Sequence, residues 1–492
     1  MKKSSRDVSF KKSLAIIFIF VSLGLPAAAL AQKAAVDKQG ESWRKQPPRP
    51  VTARPFKLPA AREIKLQNGL TLVMIEDHRT PMVTINLGIP VGSVADPSEG
   101  LGLAEAAASL LTEGAGTRTS EQLAREVETL GGRISSFATE DYSKVVVSVV
   151  AENAERMMDI MGDVALRPAF PDEEVSLYKD NRVQSLTVQR QDPAFLVSEH
   201  FNRIIYGPHP YGVSAPTPES VAAMDRKKIE NFYKANYTPA GSVLVIAGDF
   251  DSKKMEAKAR SILGGWKAPA TGEKKFPSIP ERKALRVYLV DRPGSEQADF
   301  RIGNLAPTRS DADYFPLIVA NTILGGGTSS RLFLNIREEK GYAYDVFSAV
   351  NAPLQRGTFY GGSQTRTEVT SSAIKEVLME FDRMRNEKVS AEDLRNAKNY
   401  LNGIFSLVLS TQGGVASQVG STYLLGLGPA YLETYRARIE AVTAEQVQQA
   451  ARKYILTDRP AIVVVGDAAK LKKELSALGP VEVLDIEGKA AK

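Results

Sequence analysis

An internal repeat of long period constrains the fold of this chain more than any other feature. The segment Ser242-Val-Leu-Val-Ile-Ala-Gly-Asp249 resembles Ala461-Ile-Val-Val-Val-Gly-Asp467, and the two Gly-Asp pairs lie 218 residues apart. Each segment follows an amphipathic helix pattern that opens on a capping residue, Asp225 in the first copy and Thr443 in the second. A period of this length indicates a duplicated domain and not a solenoid of short repeats.

Two domains and a linker follow from the repeat and from local composition. Residues 267–283 interrupt a charged stretch with prolines and a glycine, which is typical of a linker. We therefore expect an N-terminal domain at residues 56–266 and a C-terminal domain at residues 284–480. The chain after residue 31 is also longer than one typical hydrophobic core supports.

Strand and helix patterns are mixed within the first domain. A hairpin is predicted around Asn68-Gly69, and a second one spans residues 134–150. Helices are predicted at residues 101–112, 119–130, 151–161 and 172–189. Because the order is not a strict βαβ alternation, we predict the α+β class, with two homologous domains that each form a mostly antiparallel sheet flanked by helices.

The N-terminal residues have the pattern of an export signal. Lys and Arg residues precede an apolar run at residues 14–25, and Ala29-Leu-Ala31 supplies small residues for cleavage. We expect residues 1–31 to be a signal peptide and residues 32–55 to be a flexible leader. The mature protein is then exported, periplasmic or secreted, and has no membrane span because the apolar run is too short.

Charge, cysteine and histidine content exclude several functions. The formal net charge of +6 falls to +2 without residues 1–31, which argues against nucleic-acid binding. The chain has no cysteine, so disulfides, thiol catalysis and cysteine-ligated metals are excluded. His78, His200 and His209 lie far apart without ligand spacing, and His209 lies in a turn-rich stretch where we expect a structural role.

Three segments of the first domain carry longer motifs. They are Gly102-Leu-Ala-Glu-Ala-Ala-Ala-Ser-Leu-Leu-Thr-Glu-Gly114, Gly131-Gly-Arg-Ile-Ser-Ser-Phe137 and Leu166-Arg-Pro-Ala-Phe-Pro-Asp-Glu-Glu174. Together they resemble the N-terminal half of the M16 peptidases, the pitrilysin and mitochondrial-processing-peptidase-like family. In active members the first motif contains H-x-x-E-H, in which two histidines bind zinc and the glutamate is the general base, and a later helix supplies a third, glutamate ligand.

The resemblance implies that the zinc site of this chain is degenerate. Glu105, Ala108 and Ser109 stand at the H-x-x-E-H positions, and a count of about 75 residues from Ser109 places Gln184 at the third ligand. One carboxylate, one hydroxyl and one amide are a poor ligand set for Zn²⁺. We therefore expect no metal and no cofactor in this chain, and we expect Glu105 to be a solvated helix residue.

A motif of the second domain retains other residues of the family site. Residues 324–346 are similar to the family's C-domain motif, in which an arginine and, seven residues later, a tyrosine face the zinc across a closed chamber. These are Arg337 and Tyr344, and the resemblance implies that they hold the substrate backbone and stabilise an oxyanion. The spacing alone favours a structural role, with Arg337 at the edge of an apolar helix stripe and Tyr344 packed within a strand.

The resemblance also implies a substrate and a partner. Family members add an extended peptide to a sheet edge that corresponds to residues 131–139, although Ser135 and Ala138 depart from the usual Asn and Thr. The expected partner is an active M16 subunit that carries H-x-x-E-H and the zinc.

Three functions remain open on this basis. The leading hypothesis is a zinc-free pseudo-peptidase subunit of an exported heterodimeric M16 metallopeptidase, because Arg337 and Tyr344 are retained beside a lost zinc motif. The alternative is a non-catalytic peptide-binding or scaffold protein, which predicts no activity with any partner. An enzyme with a novel site is the third, but the chain lacks a His- or Cys-based nucleophilic arrangement.

Overall fold

Two six-stranded sheets form the frame of the fold, one in each half of the chain. The computed structural model describes residues 60–267 and 275–491. The predicted signal peptide, the predicted leader and residues 268–274 of the predicted linker lie outside the described residues. Within the two described ranges, no helix is both long enough and apolar enough to cross a membrane.

The first half contains strands β1–β6 and helices α1–α8. The strands are β1 (Ala61–Lys65), β2 (Thr71–Glu76), β3 (Met82–Ile89), β4 (Arg133–Ala138), β5 (Ser143–Val150) and β6 (Val243–Gly248). The helices are α1 (Leu103–Ser109), α2 (Ser120–Thr129), α3 (Ala154–Leu166), α4 (Asp172–Gln189), α5 (Pro193–Tyr206), α6 (Pro218–Ala222), α7 (Arg226–Asn236) and α8 (Ser252–Leu263).

The second half contains strands β7–β12, helices α9–α15 and one π-helix. The strands are β7 (Arg286–Asp291), β8 (Gln297–Ala306), β9 (Ala343–Asn351), β10 (Gly357–Arg366), β11 (Ala461–Gly466) and β12 (Val481–Leu484). The helices are α9 (Tyr314–Gly325), the π-helix Phe333–Glu339, α10 (Thr370–Asn386), α11 (Ala391–Val408), α12 (Gln412–Leu424), α13 (Ala430–Ala441), α14 (Ala444–Tyr454) and α15 (Ala468–Leu475).

The two sheets share one topology through five of their six strands. Their orders are β1-β2-β6-β3-β5-β4 and β12-β7-β11-β8-β10-β9. In both sheets the second and third strands of these orders are parallel, and the next three pairings are antiparallel. Only the first strand differs, since β1 is antiparallel to β2 whereas the C-terminal β12 is parallel to β7. The predicted α+β class and the duplicated, mostly antiparallel sheets are confirmed.

The repeated Gly-Asp segments form the corresponding central strands β6 and β11. Both strands are buried at every position, as expected for apolar runs that are covered on both faces. The helices that precede them are capped as predicted: the Asp225 carboxylate accepts from the Lys228 N–H, and Thr443 forms a capping box with Gln446. Local capping and hydrophobic pattern therefore specify the same helix-strand unit twice.

One helix from each half packs on the sheet of the other half, and we call these two the exchanged helices. Helix α5, from the first half, packs on β8 and β11 of the second sheet, and α12, from the second half, packs on β3 and β6 of the first sheet. The first contact contains Phe201 and Ile205 against Val463 and Val465. The second contains Val415 together with strand residues of the first sheet. The hydrophobic core around each sheet therefore includes a helix from the other half of the chain.

Glycines on the strands allow this close helix contact. A Cβ atom at Gly88 of β3 would lie 2.5 Å from Cδ1 of Leu424 on α12. A Cβ atom at Gly303 of β8 would lie 2.8 Å from Cζ of Phe201 on α5. Both distances are shorter than van der Waals contact. A Cβ at Gly88 would require the Leu424 side chain to move, and one at Gly303 would clash with β10 as well as with Phe201.

A buried lysine in the contact between β5 and α12 makes the stability depend on pH. Lys144 is 3% exposed and its Nζ donates to Ser421 Oγ at 2.9 Å. Burial lowers its pKa to about 8 from 10.5, so between these values the unfolded chain binds a proton that the folded chain releases. Stability should therefore rise from pH 8 to pH 9, by on the order of 1 kcal/mol. Urea unfolding at both pH values measures this rise, which Lys144→Met should remove and the exposed-site variant Lys227→Met should retain.

Candidate functional site

Helix α1 carries the positions of the degenerate zinc motif and is fixed at both ends. At its N-terminus the Asp96 carboxylate accepts from the N–H groups of Gly102 and Ala104, at 2.7 and 2.8 Å. Near its C-terminus Ser136 Oγ of β4 donates to the Ala108 carbonyl at 2.6 Å. Because Ala108 itself is fully buried, this helix faces the core at the position of the lost general base.

Glu105 forms an ion pair with Arg182 of α4. Arg182 Nε lies 2.8 Å from one carboxylate oxygen, and Nη2 donates to the other at 3.0 Å. The Nη2 contact is a charge-assisted hydrogen bond, whereas Nε lies at ion-pair distance without forming a hydrogen bond. Tyr178, one turn earlier on α4, lies close to the pair, and burial raises the pKa of its hydroxyl. The Glu105 side chain is 36% exposed, and the expectation of a solvated residue did not include this guanidinium partner.

Gln184 does not join this pair. It is exposed on α4, two residues after Arg182, and two residues turn a side chain to the opposite side of a helix. The structure instead places Ser109 with Tyr178 and Arg182 around a cavity of about 400 Å³. Sequence reasoning missed Arg182, although Tyr178 and Arg182 are one turn apart and therefore share a face of α4.

Arg337 and Tyr344 contact each other at the surface of the second half. Arg337 lies on the π-helix, where its Cζ is 4.6 Å from the ring centre of Phe333 and 4.7 Å from that of Tyr344. Its side chain is 34% exposed, and Tyr344 is 84% exposed. A π-helix is rare and is frequent at functional sites. Tyr344 is not packed within the sheet, so both side chains can donate hydrogen bonds to a bound molecule.

Tyr344 and the predicted peptide-binding segment both lie on edge strands. Among the described strands, β9, which carries Tyr344, pairs only with β10, and β4 pairs only with β5. An edge strand presents unpaired N–H and C=O groups to which an extended peptide can add. On β4, Phe137 is 43% exposed and adds an apolar surface to this edge.

A partly buried hydrogen-bond network joins the turns of the two edge hairpins. Asp141, between β4 and β5, accepts from the Tyr211 hydroxyl at 2.5 Å and from the Leu354 N–H, between β9 and β10, at 2.7 Å. His209 Nδ1 accepts from the Tyr211 N–H, so in the neutral ring Nε2 carries the proton and donates to Gln355 Oε1 at 3.0 Å. Burial raises the pKa of Asp141 and lowers that of His209. The network fixes one edge relative to the other and gives His209 the structural role that was predicted.

Comparison with known protein families decides the family of this chain. Residues 71–219 match the model described as insulinase (peptidase family M16), and residues 223–401 match the model described as peptidase M16 inactive domain. The chain belongs to the peptidase M16 family. The predicted resemblance is therefore confirmed across both halves.

Relatives and solved structures agree with membership of the M16 family. A protein of Mycobacterium leprae named an uncharacterized zinc protease is 29% identical over 418 residues, which cover 83% of this chain and 92% of the relative. A peptidase M16 inactive domain from Pseudomonas fluorescens superposes with a TM-score of 0.77 at 26% identity and covers 83% of this chain and 98% of that one. A Helicobacter pylori protease has a TM-score of 0.77 at 17% identity, covering 83% and 100%, and shows the shared fold.

The zinc of active M16 members does not fit the residues of this chain. Glu105 is the one carboxylate at the motif positions, and both of its oxygens already contact Arg182. Within the two described ranges, no three His, Cys, Asp or Glu side chains lie close enough together to hold a metal ion. A guanidinium provides the positive charge beside Glu105, so an added cation would be repelled by Arg182.

The remaining two histidines have local partners of their own. His78 is exposed, and its Nδ1 lies 2.5 Å from Asp249 Oδ1, which raises its pKa. His200 is buried with its Nε2 at 3.2 Å from the Ile486 carbonyl oxygen, and burial lowers its pKa to about 4. Neither histidine lies with Glu105 or with Arg337, so neither adds to the M16 site.

Proposed function

We propose that this chain is a zinc-free pseudo-peptidase subunit of an exported heterodimeric M16 metallopeptidase. The observation that carries the proposal is the exposed contact pair Arg337 and Tyr344 on an M16 chain whose zinc-ligand positions are occupied by Glu105, Ala108 and Ser109. A chain that has lost its metal site but keeps donors at its surface is suited to complete a site on another subunit. The partner would be an active M16 subunit with H-x-x-E-H.

The chemistry of the pair fits the binding of a peptide carbonyl. The Arg337 guanidinium lies against two aromatic rings, its Nε is 3.6 Å from a carboxylate oxygen of Glu338, and it presents a planar fork of N–H donors. The Tyr344 hydroxyl adds a neutral donor that extends from an edge strand. Both can hydrogen-bond a carbonyl oxygen as negative charge develops on it, which lowers the barrier to amide hydrolysis. The partner's site would supply the zinc, the water and the general base.

The substrate of such a complex is an extended polypeptide. The two edge strands β4 and β9 offer backbone groups that bind a peptide without strong sequence demand. The signal pattern of residues 1–31 supports action outside the cytoplasm, in the periplasm or after secretion.

A scaffold or peptide-binding protein without a catalytic role is the second candidate. The Glu105–Arg182 ion pair favours it, because this pair turns the former metal site into a contact between α1 and α4. The two candidates differ in what Arg337 and Tyr344 do, since only the first requires them for turnover by a complex.

The isolated mature chain is expected to bind no stoichiometric zinc and to hydrolyse no peptide. The ligand set lacks both histidines and the third carboxylate, and Arg182 disfavours a cation beside Glu105. Metal analysis after dialysis against micromolar zinc measures the first quantity, and release of fluorophore from quenched peptides measures the second. One tightly held zinc ion per chain would contradict the proposal, as would hydrolysis that a chelator abolishes.

A further inference from the structure

A cavity of about 510 Å³ lies beside Tyr344, between the first turns of α5 and strands β8, β9 and β10. Its lining combines apolar residues such as Val197 and Phe347 with charged ones. The acidic residues are Asp299 and Asp345, and the basic residues are Arg301 and Arg366. We propose that this cavity is a subsite for an acidic side chain of the bound peptide, with Arg301 as the group that binds the carboxylate. The inference rests on the proposed function in that it names the substrate class of a peptide held at β9.

Strand register brings Arg301 into the cavity. Arg301 of β8 is paired with Gly362 of β10, which in turn is paired with Phe347 of β9. A Cβ atom at Gly362 would lie 3.3 Å from Phe347 Cζ and 3.5 Å from Arg301 Cγ, so the glycine leaves the room in which these two side chains meet. The guanidinium Cζ lies 4.6 Å from the ring centre of Tyr360, which fixes its orientation.

The guanidinium of Arg301 has no carboxylate ion-pair partner among the described residues. Its nearest acidic neighbour along β8 is Asp299, whose Oδ2 already accepts from Gln364 Nε2 at 3.0 Å. Burial raises the pKa of Asp299 and lowers that of Arg301, so both charges lie in poorly solvated surroundings. Asp299 attracts Arg301 from beyond ion-pair distance, and a ligand carboxylate in direct contact would stabilise the guanidinium further.

An acidic side chain fits the part of the cavity beside Arg301 better than a neutral or basic one. The planar fork of a guanidinium can donate two parallel hydrogen bonds to the two oxygens of a carboxylate. A carboxylate is therefore selected by its shape as well as by its charge. Phe347 and Val197 provide an apolar wall for the methylene groups of a glutamate or aspartate. A neutral amide leaves the Arg301 charge unpaired, and an ammonium group is repelled by it.

The test uses decapeptide libraries whose central position is fixed as Glu, Gln or Lys and whose other positions are mixtures of Ala, Ser, Val and Leu. Acetylated and amidated ends and a neutral fluorophore leave the central residue as the only charge. Fluorescence anisotropy with the isolated mature chain should show about tenfold tighter binding of the Glu library than of the Gln library, with the Lys library weakest. Arg301→Gln should abolish the difference between Glu and Gln.

Two further variants control for folding and for charge. Arg301→Lys keeps a cation without the fork and should retain part of the preference for Glu. Arg438→Gln removes another arginine that stacks on an aromatic ring, 5.4 Å from the Phe315 ring centre and outside the cavity, and should leave the preference unchanged. Equal binding of the Glu and Gln libraries by the unmodified chain would overturn the subsite, as would no binding of either or a full preference in Arg301→Gln. The proposed function can fail while the subsite stands. In that case the chain would still prefer the Glu library, but mixing it with an active M16 partner would not increase peptide hydrolysis.

Discussion

Replacement of Tyr344 by phenylalanine is expected to lower kcat of the assembled complex by about 10²-fold, the typical effect of losing one oxyanion donor. The change removes only the hydroxyl, and the ring remains to contact Arg337. Because the proposed hydrogen bond strengthens as the carbonyl becomes an oxyanion, KM should change little. Steady-state kinetics with a quenched peptide, using the chain together with its active M16 partner, separates the two constants.

A second exposed tyrosine provides the matched control. Tyr400 of α11 is 52% exposed and lies outside the site, so Tyr400→Phe should leave both constants unchanged. Arg337→Ala is expected to raise KM as well as lower kcat, since a guanidinium can bind more than one carbonyl oxygen. Unchanged kinetics in both Tyr344→Phe and Arg337→Ala would remove the donor role and favour the scaffold hypothesis.

Phe201→Ala is expected to lower the free energy of unfolding by about 3–5 kcal/mol, the range for deleting a buried phenylalanine side chain. Phe201 is fully buried, and its ring centre lies 5.5 Å from that of Tyr360 in the second sheet. The residue belongs to the first half of the sequence but fills the core of the second half. Urea denaturation should therefore show one transition that shifts as a whole to lower urea concentration.

Leu177→Ala serves as the control for this variant. Leu177 lies on α4 and is 55% exposed, so its truncation should change the stability by no more than about 0.5 kcal/mol. A Phe201→Ala chain that unfolds in two steps, with one half at its original midpoint, would show that the halves fold independently and that the exchanged helices contribute little.

The sequence specified the local elements well because they depend on local chemistry. Helix α4 begins and ends at the predicted residues 172 and 189, and the hairpins around Asn68-Gly69 and at residues 134–150 are present. These elements follow from turn residues, caps and hydrophobic period. The exchange of α5 and α12 could not be predicted, since an apolar helix face does not identify which of two similar sheets it covers.

The residues of the candidate site could be named from the sequence, but their contacts could not, because the contacts depend on tertiary structure. Arg337 and Tyr344 were identified from a motif, but their direct contact depends on a π-helix that the pattern of Leu332, Phe333 and Ile336 does not distinguish from an α-helix. A linear count placed Gln184 at the third ligand position, whereas the face of α4 that meets Glu105 carries Arg182. An error of one or two residues in such a count assigns the role to a side chain on a different face of the helix, because each residue turns the side chain by 100°.

The central claim is that this chain completes a zinc site carried by another subunit. The most direct measurement is peptide hydrolysis by the purified mature chain, by an exported M16 chain with intact H-x-x-E-H from the same genome, and by their equimolar mixture. We expect the chain alone to be inactive, the mixture to be far more active than the partner alone, and Tyr344→Phe to remove most of this gain. A mixture no more active than the partner alone would contradict the claim, and so would zinc-dependent hydrolysis by this chain in isolation.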